Sequence, residues 1–136
     1  MSFLLDTNIV SEVIKQTPHP QIISWLNSKN SMDFYISVIT VGEIKRGISH
    51  LSESKKKIKI DNWFNHEFFR WFDNRILPID LSISLKWGEL LAQHSKTLPA
   101  IDSLLAATAL SFDLTLITRN TKDFNIRGLR VLDPAE

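Results

Sequence analysis

Four acidic residues, Asp6, Glu43, Asp102 and Asp123, fall where a carboxylate can do chemistry. Three of them follow short apolar runs. Asp6-Thr7-Asn8 comes after Phe3-Leu4-Leu5, Glu43 lies just past Phe34-Tyr35-Ile36-Ser37, and Thr118-Arg119-Asn120-Thr121-Lys122-Asp123 follows Leu114-Thr115-Leu116-Ile117. The fourth, Asp102, shares a helical face with Leu105, Ala106 and Ala109. A face that small and apolar presses against the body of a protein, and an ionised Asp at its mouth needs a partner. Four carboxylates converging without compensation repel one another and push their pKa values up. A hard divalent cation resolves that conflict. With no Cys and no paired His, an all-oxygen donor set points to Mg2+ or Mn2+ rather than zinc.

Each acid also has a plainer reading. Asp6 could cap the first helix, Glu43 could complete a Thr40-x-x-Glu43 capping box, and Asp123 could decorate a helical first turn. Asp102 is the hardest of the four to explain this way, because neither a cap position nor solvent exposure accounts for it well.

The acids need elements that bring them together. The runs Phe3–Leu5, Phe34–Ser37, Leu114–Ile117 and Arg130–Leu132 read as strands, with Arg75–Ile79 as a fifth candidate weakened by Pro78. Their continuous apolar character suits strands covered on both faces. Helical spacing is found at Ile9–Ile14, Ile22–Leu26, Thr40–Leu51, Lys56–Phe72 and Ser82–Ser95. Pro99, placed as a first helical residue, launches Ala100–Phe112. Strands alternating with helices predict an α/β fold, with right-handed crossovers and a central, mainly parallel sheet of four to five short strands flanked by helices on both faces. In such sheets ligands bind beyond the carboxyl ends of the strands, where Asp6, Glu43 and Asp123 fall.

Composition narrows the class. The 136 residues suit one domain. The absence of Cys excludes disulfides and thiolate chemistry and suits a cytoplasmic protein. No apolar run is long enough to span a membrane, and the Met1–Asp6 opening lacks the basic region of a signal peptide. Four separated glycines cannot build a phosphate-cradling loop. Sixteen Lys and Arg oppose fifteen Asp and Glu, a net charge of +1. Without the four acids the balance is 16 against 11, or +5, the charge of a basic surface around an acidic notch.

Leu4-Leu5-Asp6-Thr7-Asn8, Ser37-Val38-Ile39-Thr40-Val41-Gly42-Glu43-Ile44, Leu98-Pro99-Ala100-Ile101-Asp102-Ser103-Leu104-Leu105-Ala106-Ala107-Thr108-Ala109 and Thr118-Arg119-Asn120-Thr121-Lys122-Asp123-Phe124 together resemble the PIN-domain family, and more closely its VapC-type toxins. The match runs nearly end to end and includes the closing Gly128–Pro134. The resemblance implies residues 1–136 as a single PIN domain acting as a metal-dependent endoribonuclease. Asp6, Glu43, Asp102 and Asp123 would form its acidic quartet. It also implies a homodimer, a cognate antitoxin and a structured RNA substrate such as tRNA. Some relatives carry an acid where this chain has Asn120, so Asn120 could share the role of Asp123.

Within that chemistry Asp6, Glu43 and Asp102 are expected to hold a principal Mg2+, and Asp123 with Asp102 a second. Thr7, Asn8, Thr118 and Asn120 are placed to hydrogen-bond carboxylates or bound water, and Arg119 to clamp a phosphate or pair locally. The alternative function is a PIN scaffold that binds RNA or protein without cleavage, against which the intact acids speak. A haloacid-dehalogenase-like enzyme would want an acid at position 8, where Asn8 stands. The Lys55-Lys56-Lys57-Ile58-Lys59 run reads as a solvated helix face. The aromatic residues of Lys56–Phe72 read as core, with part of them lining a dimer or antitoxin groove.

Overall fold

Five strands form one wholly parallel sheet in the order β3-β2-β1-β4-β5 in the computed structural model, which describes Met1–Glu136. The strands are β1 (Phe3–Leu5), β2 (Phe34–Ser37), β3 (Ile76–Leu77), β4 (Thr115–Ile117) and β5 (Val131–Leu132). Register pairs Phe3 with Phe34 and with Thr115, Ile36 with Ile76, and Leu116 with Val131. The fifth strand therefore forms, and it stops at Leu77 because Pro78 has no N–H to continue a ladder.

The helices are α1 (Thr7–Val10), α2 (Pro20–Ser28), α3 (Val38–Ser49), α4 (Lys55–Trp63), α5 (Phe69–Phe72), α6 (Leu81–Gln93) and α7 (Ala100–Ser111). Two-residue alternation along the strands separates two packed layers. Phe3, Leu5, Phe34 and Ile36 face Ile9, Ile22, Ile44, Ile48, Phe64, Phe68 and Phe72. Leu4 and Leu116 face Leu105, Ala109 and Phe124 on the other side. Helices thus cover both faces, which explains why the strands read as unbroken apolar runs.

Three local expectations change. The Thr40–Glu43 capping box does not form. Helix α3 opens at Val38, five residues before Glu43, with Ser37 as its cap: Ser37 Oγ accepts the Ile39 N–H at 3.0 Å. Thr40 is inside the helix, its side chain buried without a hydrogen-bond partner. Pro99 lies just outside α7, its ψ of 139° extended rather than helical, so the helix begins at Ala100. The expected Lys56–Phe72 helix is continuous from Lys55 but carries a widened π turn over Phe64–Phe68, and Phe64, Phe68 and Phe72 are all buried. Arg75 closes that segment from inside. Its side chain is buried and donates to the carbonyls of Phe34 (2.9 Å) and Trp71, tying the helical segment to β2.

Candidate active site

Asp6 directly follows β1, and its N–H continues the ladder onto the Ile117 carbonyl at 2.9 Å. That bond fixes the acid at the carboxyl edge of the sheet, between the central strand β1 and its neighbour β4. The residue is only 9% exposed and caps α1, with Oδ1 accepting the Thr7 N–H at 2.7 Å. The cap reading of Asp6 therefore holds. Oδ2 accepts from the buried Thr118 hydroxyl at 2.8 Å and from Asn8 Nδ2 at 3.5 Å. Thr118 Oγ1 in turn accepts from Asn8 Nδ2 (3.3 Å) and from the Asn120 N–H (3.1 Å). Asp6 cannot swing away without breaking this net.

Glu43 is brought in from α3. Thr7 Oγ1 donates to its Oε1 at 2.6 Å, a bond across 36 positions of sequence that joins α1 to α3. Asp102 stands half-buried in the first turn of α7. The helix behind it is seated by Leu105, Ala106 and Ala109, all buried. Ser103 locks the same turn, accepting from Trp87 Nε1 at 2.8 Å and donating to the Ala100 carbonyl at 2.9 Å. Asp123 is exposed, on a short turn (Thr121–Phe124) pinned by buried Phe124.

The acids sense one another. Burial pushes the Asp6 carboxyl above its ordinary value, hydrogen bonds from Thr118 and Thr7 oppose that, and the charge of Glu43 adds to it. Burial likewise raises Asp102, and the charges of Asp6, Asp123 and Glu43 raise it further. No cation compensates them, since every ion pair of the chain lies elsewhere, on Glu12, Glu53 and Asp113. Four oxygen-only side chains short of positive charge suit a hard divalent cation. No three acid or imidazole side chains stand as a ready-made metal cage, so the carboxylates would have to draw together around an ion.

Asn8 Oδ1 accepts the Arg119 N–H at 3.2 Å, which joins Arg119 to the net by its backbone. Its guanidinium faces Glu12, Nη1 to Oε2 at 3.8 Å, so the local pairing holds. Asn120 also contributes its backbone, and its side chain is exposed.

Sequence spacing gave no reason to single out Glu12, which is 2% exposed. It accepts from Lys15 Nζ at 2.6 Å and from the His19 N–H at 2.9 Å. Burial alone would raise its carboxyl, but these two hydrogen bonds and the charges of Lys15 and Arg119 outweigh it and hold the group below its ordinary value. The available signal was a Glu in a segment otherwise apolar inward, followed by Lys three residues later. That pattern is shared by exposed helix pairs.

A groove of about 340 Å³ begins at the Thr7–Glu43 pair and runs over Ile44 and Ile48 to Ile60 and Trp63, with Lys15 and Lys56 at its sides. Of the aromatic residues of Lys56–Phe72 only Trp63 lines this groove, while Phe64, Phe68 and Phe72 are taken up by the core.

The PIN domain model matches residues 3–127. The chain is 34% identical over 134 residues to Toxin FitB of Neisseria gonorrhoeae, covering 96% of each. It is 31% identical over 136 residues to VapC ribonuclease Y4jK of Sinorhizobium fredii, covering 98% of this chain and 97% of the relative. In three dimensions it is similar to a chain in the crystal structure of FitAcB from Neisseria gonorrhoeae, with a TM-score of 0.89, 33% identity and 97% of each chain covered. Sequence and architecture agree: the chain belongs to the PIN-domain family, on the branch that holds FitB and VapC.

Proposed function

We propose that this protein is a divalent-metal-dependent endoribonuclease, the toxin of a toxin–antitoxin pair. The observation that carries the proposal is that Asp102 feels the charges of Asp6, Glu43 and Asp123 with no cation paired to any of the four, in a chain similar to a VapC ribonuclease and to Toxin FitB. Asp6, Glu43 and Asp102 would hold a principal Mg2+, with Mn2+ as a substitute, and Asp123 with Asp102 a second. When bound, the metal supplies activated water at neutral pH and neutralises charge developing on the phosphoryl group.

The chain's own residues set up that chemistry. Thr118 and Asn8 fix the orientation of Asp6, and the Thr7 hydroxyl fixes Glu43. Buried packing of α7 holds Asp102 at the mouth of the notch. Arg119 and the basic surface would receive RNA phosphates, with a structured cellular RNA such as tRNA as the substrate. In the cytoplasm the protein would act as a homodimer. A cognate antitoxin would hold it in check, and the groove from Thr7–Glu43 to Trp63 offers that partner an apolar seat beside the acids. Expression in a bacterium tests the reading. Wild type should arrest growth, Asp102→Asn should not at equal soluble yield, and arrest by both proteins would refute it.

A further inference from the structure

Arg119 directly follows Thr118, whose hydroxyl holds Asp6, yet its guanidinium pairs with none of the four acids. Such a placement needs a cause. A guanidinium is always charged, carries a fork of donors that matches a carboxylate, and bonds carboxylates readily. Its main chain is one hydrogen-bonded residue, Asn8, away from Asp6, so an unrestrained guanidinium has the acids as competing partners and would occupy the oxygens a cation needs.

Glu12 supplies the competing charge. It sits near the start of the turn Ser11–Ile14 that continues α1, buried, with Lys15 Nζ at 2.6 Å, the His19 N–H at 2.9 Å and Arg119 Nη1 at 3.8 Å. A buried carboxylate held by two hydrogen bonds is immobile. The Arg119 main chain is fixed as well, through its N–H on Asn8 Oδ1. At 3.8 Å the guanidinium is attracted to Glu12 without giving up its donors to it. Its side chain remains 40% exposed, so those donors face solvent.

We propose that Glu12 is a positioning residue that holds the Arg119 guanidinium at the rim of the acidic notch. The four carboxylates then stay open to a divalent cation, and the guanidinium stays open to an RNA phosphate. The inference rests on the reading of the acids as a cation site and adds the device that keeps the guanidinium out of that site.

Mn2+ binding to the metal-free protein, followed by electron paramagnetic resonance, tests it without recourse to turnover. Glu12→Gln should weaken Mn2+ binding by about tenfold, the scale of losing an outer support of a metal site. Adding Arg119→Ala to it should restore wild-type affinity, because the intruding cation is gone. Arg119→Ala alone should keep the affinity and raise KM for RNA with kcat unchanged. Equal affinity in wild type and a folded Glu12→Gln overturns the proposal. So does a loss that persists in the double variant, which would make Glu12 a plain structural support, and so does a kcat defect in Arg119→Ala at unchanged KM. If Glu12→Gln does not fold, Glu12→Asp keeps the charge but withdraws it from Arg119, and the same comparisons are made with it. Failure of the wild type itself to bind Mn2+ would overturn the cation reading, a result distinct from all of these.

Discussion

At Asp102, the proposed metal chemistry and the stability of the fold pull in opposite directions. Burial, then the charges of Asp6, Asp123 and Glu43, raise its carboxyl in the folded protein. A carboxyl raised on folding contributes stability while protonated and withdraws it as pH rises through the folded value. Metal-free protein is thus weakened at neutral pH by Asp102, and by Asp6 in the same sense. Asp102→Asn should abolish RNA cleavage and yet raise the Tm of the metal-free protein at pH 7 by a few degrees, read by thermal melts with and without EDTA. Glu12 has the opposite sign: its lowered carboxyl contributes stability at neutral pH that is lost as pH falls through the folded value. Thr7→Val removes the hydroxyl that holds Glu43 and should cost about 10–100-fold in activity or metal affinity, with a stability loss of about 1 kcal/mol. Steady-state kinetics beside a denaturant titration separates the two effects.

At the scale of elements, the periodicities that mark the strands and helices were legible because both sheet faces are covered, which makes each strand an unbroken apolar run. Asp6 and Asp102 were legible because one follows a strand and the other breaks an apolar helical face. The start of α3 was not. Ser37 and Thr40 are both capping residues by type, and only the packing that buries Thr40 decides between them. Glu12 was hidden for a related reason, since its partners Arg119 and the His19 N–H come from loops that only tertiary structure brings near. The Thr7–Glu43 bond is a long-range contact of the same kind. The π turn and α5 set the aromatic layer against β1 and β2, with Phe72 fully buried. Phe72→Ala should therefore cost about 3–5 kcal/mol of folding stability, measured by urea unfolding, by leaving a cavity under the sheet.

For the whole molecule the net charge of +1 conceals its distribution. Lys15 and Lys56 line the groove that begins at Glu43, and Arg119 follows Thr118, whose hydroxyl holds Asp6. RNA affinity should fall as salt rises, with a log–log slope set by the number of phosphates the basic rim contacts. A cation that binds only the folded state should stabilise it in proportion to its occupancy, about 2.7 kcal/mol at one hundred times its Kd. The most direct test is cleavage of a total RNA pool by the purified protein with Mg2+, with EDTA, and with Asp6→Asn in place of the wild type. The account predicts cleavage in the first case and none in the other two, whereas equal cleavage in all three would contradict it.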